Sequence, residues 1–220
     1  DRLGGVAVVA GRARGQLHEA AVDRAARARA RPARERQRLS DMNRRERLPA
    51  GTPGDDRNAA KPIADVDHWD VRIVVAVTAK GPKDTGSTDG MERSRETSPF
   101  YDAWVAAAPA LCAKVERGIK KRDLELVGRA MEQSTMSFHA CAFSSDPAII
   151  YFAPATLAAL ATVRALRQKG VAVYATMDAG PHVKALCHAK DAARVRRALR
   201  ETEGVISTIV AKPGPGTTVS

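Results

Sequence analysis

The run VRIVVAVT at residues 71–78 constrains this chain more than any other segment. It is too short for a self-supporting helix and too apolar to leave one face in water, so it reads as a buried strand. Such a strand needs partners to pair with it and helices to cover it. Residues 1–50 cannot supply them. They are rich in Arg and Ala and contain no Lys, and AVDRAARARARPARERQR at 21–38 has good helix formers without a sustained apolar stripe. Pro32 interrupts even that. The arm is expected to be poorly ordered or a solvated helix, and LPAGTPGDDRNAAKP at 48–62, dense in Gly, Pro and Asp, a connecting loop. The expected organisation is an appendage and linker over residues 1–60 and a folded domain over 61–220.

The pairing elements therefore lie downstream. Residues 85–92 (TGSTDGME) read as a polar loop leading into a helix, with Thr97 or Ser98 as its cap. Residues 98–119 and 122–134 carry Ala, Leu, Val and Ile at helical spacing. Pro147 marks a break, and 156–169 is a helix stopped by Gly170. The strand VAVYAT (171–176), the tight loop DAGP (178–181) and a paired strand at 182–188 follow, then a basic helix at 190–202 and a closing strand at 205–210. This order predicts an α+β fold, a sheet covered on one face by helices. No internal repeat is present.

Charge narrows the function classes. The net charge of +11 invites a polyanion partner, but thirteen Arg against six acids give residues 1–50 a charge of +7, leaving +4 for the rest. The arm has no aromatic side chain for base stacking, so an RNA- or polyanion-binding protein built on it would bind without sequence preference. Nucleic acid is therefore not the expected partner. Cys112, Cys141 and Cys187 have no metal-ligand spacing and read as free thiols, so no metal site is expected. No apolar run reaches membrane-spanning length and the start lacks the order of a signal peptide, which points to a cytoplasmic protein without a membrane partner.

Two loops could carry chemistry. The first, KDTGSTDGM at 83–91, follows a strand and precedes a helix, where free amides and hydroxyls bind oxyanions or phosphates. The same residues also fit an ordinary capped loop. The second holds Asp178 directly after a buried strand, where a partly desolvated carboxylate suits a general base or an electrostatic catalyst. A turn-forming Asp that bonds its own backbone is the more ordinary reading of the same residues. His139, in SFHAC, reads as a packed, hydrogen-bonded core residue. Arg194, Arg196, Arg197 and Arg200 read as the solvated face of a helix.

Taken together, the segments resemble the mevalonate diphosphate decarboxylases of the GHMP kinase superfamily. His68-Trp69 precedes the strand VRIVVAVTA. TGSTDGMERSRETSPF (85–100), RDLELVGRAMEQSTMSFHACAF (122–143), DPAIIYF (146–152), VYATMDAGPHV (173–183) and a strand leading to GPG (214–216) follow in the family's order. The resemblance covers about 150 of the 220 residues. It implies a GHMP-kinase-type C-terminal domain, ferredoxin-like in plan. It also implies ATP-dependent decarboxylation of mevalonate 5-diphosphate to isopentenyl diphosphate, a step of isoprenoid synthesis, with ATP and magnesium as co-substrates. The family usually forms homodimers. By resemblance Asp178 faces the substrate 3-hydroxyl, Ser87 and Thr88 contact its diphosphate side, and Gly180 and Pro181 shape the catalytic loop.

Departures from the family pattern are His182 where Asn is usual after DAGP, and Met177 where Phe usually precedes the Asp. They keep a mevalonate monophosphate decarboxylase open, whereas Asp178 itself argues against a mevalonate 3-kinase. The family's serine-rich ATP phosphate loop, expected shortly before GTPGDD, is absent from this sequence. Alternating Arg, Ala, Gly and Pro is what GC-rich DNA gives out of frame. The expectation is a truncated or frameshifted product, with little turnover on its own.

Overall fold

The computed structural model describes residues 63–214, so the expectations for residues 1–60 and for Pro215 and Gly216 fall outside it. Strand β1 (Val71–Val77) is followed by helices α1 (Ser87–Thr97), α2 (Tyr101–Lys121), α3 (Leu124–Phe143) and α4 (Pro154–Gln168). Then come β2 (Val173–Thr176), β3 (Val183–His188), a 3-10 turn (Ala189–Asp191), α5 (Ala192–Arg200) and β4 (Ser207–Ala211). The sheet order is β2-β3-β1-β4 with every pair antiparallel. This is the split βαβ plan of ferredoxin-like sheets, in the expected α+β class.

The pleat explains the layering. Val74 and Ala76 of β1, Val183, Ala185 and Cys187 of β3, and Val173 and Ala175 of β2 share one face by register. They pack against Ala159, Val163 and Leu166 of α4 and Val195 and Leu199 of α5. Each such aliphatic side chain, taken wholly out of water, contributes about 1.5–3 kcal/mol. The helices do not keep to that face, however. Tyr174 and Leu186 alternate to the other side, where Leu124 and Val127 of α3 meet them. Gly128 permits the close approach: a Cβ there would lie 2.0 Å from the Tyr174 ring.

α1 is a second difference from expectation. The loop ends at Gly86, and the polar stretch STDGMERSRET is helical throughout. Its buried residues are Gly90 and Ser94 rather than large apolar ones, so the helix rests on close backbone approach. Serine hydroxyls join it to the end of α3: Ser94 Oγ lies 2.9 Å from Ser145 Oγ, and the Thr97 hydroxyl accepts the Asp146 N–H at 2.9 Å. Neither Thr97 nor Ser98 caps the next helix: its N-cap is Phe100, without a side-chain cap, and Ser98 Oγ accepts the Phe100 N–H at 3.2 Å ahead of the helix.

β2 is an edge strand, and helix side chains bond several backbone groups along its outward edge. Arg167 Nε donates to the Val173 carbonyl at 2.9 Å, and the Ala175 N–H donates to Glu132 Oε1 at 2.9 Å. The Met177 N–H donates to Thr135 Oγ1 at 3.3 Å. Arg167 also pairs with Glu132 through two nitrogens, at 3.1 and 2.5 Å, and its guanidinium lies 4.3 Å from the Tyr174 ring centre. Those side chains satisfy what a neighbouring strand otherwise would.

Candidate active site

The end of β2, held in this way, delivers Asp178 to the mouth of a cleft of about 680 Å³ bounded by α1, α2, α3 and the β2–β3 loop. Ser87, at the start of α1, lines the same cleft, so two loops far apart in sequence converge there. The inner wall is apolar, with Met91, Leu111, Val115, Val127, Met131 and Phe138 among its residues. Trp104 contributes an indole whose buried N–H has no partner among the described residues.

Lys83 ties the two loops together. Its Nζ donates to Ser87 Oγ at 2.7 Å and to the Ala179 carbonyl at 2.6 Å, and it sits 5.7 Å from the Tyr151 ring centre. The Asp178 carboxylate accepts from Lys184 Nζ at 2.5 Å and is 81% exposed, so it is free to exchange that partner for a ligand. The rest of its loop is fixed. The Gly180 N–H donates to the Asp178 carbonyl at 2.7 Å. The Pro181 carbonyl accepts hydroxyls from both Thr78 and Thr156 at 2.6 Å, and the Thr78 N–H donates to His182 Nδ1 at 3.2 Å.

Pro181 thus anchors the loop, while Gly180 has open space around its α-carbon and no positive φ, so the fold itself does not require glycine there. Thr88 is exposed in the first turn of α1 and does not line the cleft. Among the described residues no group of three or more His, Cys, Asp or Glu converges to hold a metal ion. All three cysteines are free thiols, and burial pushes the Cys187 thiol up to about 11, which keeps it protonated.

Residues 73–211 match the family model of the mevalonate 5-diphosphate decarboxylase C-terminal domain. The chain belongs to this family. A diphosphomevalonate decarboxylase of Ganoderma lucidum is 32% identical over 139 residues, which is 59% of this chain and 34% of that protein. The mevalonate diphosphate decarboxylase from Enterococcus faecalis, 29% identical, superposes with a TM-score of 0.61 over 72% of this chain and 47% of its own. A structure of MDDEF in complex with MVAPP, AMPPCP and magnesium is 32% identical with a TM-score of 0.62, covering 68% of this chain and 46% of its own. The chain therefore spans about a third to a half of the length of these relatives.

Within this decarboxylase domain, sequence reasoning missed two residues. Lys83 stood in the first loop without a role, because its two contacts depend on a distant loop. His139 is packed as expected, at 1% exposed, but neither ring nitrogen has a hydrogen-bond partner among the described residues. Burial holds its pKa down, from 6.5 to about 4, against an opposing pull from the Asp178 backbone and charge. The Arg194, Arg196, Arg197 and Arg200 side chains are exposed, as a solvated helix face requires.

Proposed function

We propose that this chain is the aspartate-bearing C-terminal part of a diphosphomevalonate decarboxylase. It would act on mevalonate 5-diphosphate with MgATP as co-substrate to give isopentenyl diphosphate, phosphate and carbon dioxide. The observation that carries this is the convergence of Asp178 and Ser87 on one cleft, linked through Lys83. In this reading the Asp178 carboxylate leaves Lys184, orients or accepts the proton of the tertiary hydroxyl during phosphoryl transfer, and then stabilises positive charge at that carbon as phosphate departs. Ser87 receives the diphosphate end, with Thr88 beside it reaching the ligand from outside the cleft wall. Pro181 keeps the loop in shape and Gly180 leaves room for the ligand.

The described residues offer magnesium no cluster of their own, so the metal would arrive with the nucleotide as part of the substrate. The sequence carries no serine-rich phosphate loop, and phosphoryl transfer depends on positioned phosphate contacts. Residues 1–60 form a separate appendage in this proposal, and 61–220 the decarboxylase-like domain. Homodimerisation and a cytoplasmic location belong to the same proposal.

The test is mevalonate 5-diphosphate binding, read by Trp104-dependent fluorescence, together with phosphate and carbon dioxide release under MgATP, for the chain and for Asp178→Asn. Release that drops by about 10²–10⁴-fold in Asp178→Asn supports the full reading. Binding without release supports a half-enzyme that needs a phosphate loop from elsewhere. Absence of both overturns the proposal.

A further inference from the structure

Glu132, Thr135 and His139 occupy positions i, i+3 and i+7 of α3, which places them along one face of the helix. That face runs beside the outward edge of β2 and the loop that continues it. Glu132 bonds the backbone at Ala175, and Thr135 bonds it at Met177. The next backbone unit is Asp178, and the next side chain on the helix face is His139. Its ring is enclosed by Phe138, Tyr151, Phe152 and Phe143, with centroids 4.9, 6.0, 4.8 and 6.4 Å away. The one hydroxyl in that cage, on Tyr151, is directed to the Gly86 carbonyl at 3.4 Å. Thr135, one turn before His139, bonds the backbone one residue before Asp178, and the Asp178 backbone acts on the ring as a carbonyl does, favouring a proton on it. A buried imidazole with no partner among the described residues is costly, and a small turn of the ring toward that carbonyl would relieve it. The Asp178 carbonyl already accepts the Gly180 N–H at 2.7 Å and has a second lone pair to offer.

We infer that His139 is a positioning residue, the third rung of this ladder, donating an imidazole N–H to the Asp178 carbonyl and so fixing the direction in which the Asp178 carboxylate enters the cleft. The inference rests on the proposed role of Asp178. It assigns His139 no contact with substrate. Held at its carbonyl, Asp178 can swing only about its side-chain torsions, so the carboxylate exchanges Lys184 for a ligand without the loop rearranging.

The test uses the full chain without ligand, by NMR and amide hydrogen exchange. In the wild type, the His139 ring is expected as a single neutral tautomer whose N–H exchanges slowly with water; a freely exchanging N–H overturns the inference. His139→Phe fills the aromatic cage but cannot donate. Its Gly180 amide should exchange about tenfold faster than in wild type, while the Ala175 amide, held by Glu132, keeps its rate. His139→Asn, with a side-chain N–H to offer, should restore most of the Gly180 protection. A Gly180 amide at the wild-type rate in His139→Phe sinks the idea, and should that variant fail to fold, the wild-type ring measurement decides alone. These readouts need no substrate, so their failure leaves the catalytic reading of Asp178 to its own binding and turnover test.

Discussion

On one face of the sheet, α4 and α5 bury Val74, Ala76, Val173, Val183, Val195 and Leu199 to full inaccessibility. On the other, α3 meets Tyr174 and Leu186, while Ile73 of β1 and Ile209 of β4 stay 38% and 57% exposed. The cleft opens on this second side, where Thr176 and Asp178 follow Tyr174. The closed face holds the domain together, and the half-covered face leaves room for chemistry. The difference shows how one small sheet can be rigid and reactive at once: a loop at the end of β2 inherits its position from the packed face and its exposure from the open one.

The largest expected effect breaks the closed face. Leu199→Ala should cost about 3–4 kcal/mol of unfolding free energy, and Ile209→Ala less than about 1 kcal/mol, both read from urea denaturation. Comparable losses would erase the contrast between the faces.

Acid comes next. The pKa of His139 lies near 4 in the fold, against the ordinary 6.5, because the folded chain buries the ring uncharged. Above about pH 6.5 neither state binds the proton and nothing is lost. Between 6.5 and 4 the unfolded chain takes up the proton first, so stability falls as pH falls, by about 3 kcal/mol in total. His139→Phe should flatten that part of the pH–stability curve, leaving the carboxylates' contribution at lower pH.

The contact of α3 with β2 can be tested separately. Gly128→Ala places a methyl group into the Tyr174 ring and should cost about 2 kcal/mol or more, with loss of the near-ultraviolet tyrosine signal. The smallest effects belong to the open loop. Gly180→Ala meets nothing within 4 Å and Asp178 is 81% exposed, so Gly180→Ala and Asp178→Asn should each shift stability by about 0.5 kcal/mol or less. A large destabilisation in either would show that this loop supports the fold rather than the site.

The sequence disclosed what burial imprints on it. β1 stood out through its β-branched run, β2 and β3 through apolar stretches around a Gly-Pro turn, and α4 through apolar periodicity with Gly170 at its end. α1 left no such imprint, because its inward residues are Gly90 and Ser94 and its packing rests on proximity rather than on large apolar side chains. The extra cover from α3 was hidden for a related reason, since Gly128 admits Tyr174 by what it lacks. In the proposed site, the place of Asp178 after a buried strand fitted an ordinary turn as well, and the resemblance to the family singled it out, as it did Ser87. Lys83 was not, because a lysine in a polar loop carries no sign of a carbonyl 96 residues away. His139 was legible as core but not as unpaired, which only the surrounding rings reveal.

The side chains that bond the outward edge of β2 have a consequence for how the sheet can grow. Growth of a sheet by edge addition needs free backbone donors and acceptors at the growing end. Arg167, Glu132 and Thr135 already take the Val173 carbonyl, the Ala175 N–H and the Met177 N–H along that edge. An incoming strand at that border would first have to displace these side chains, which disfavours open-ended growth of the sheet there.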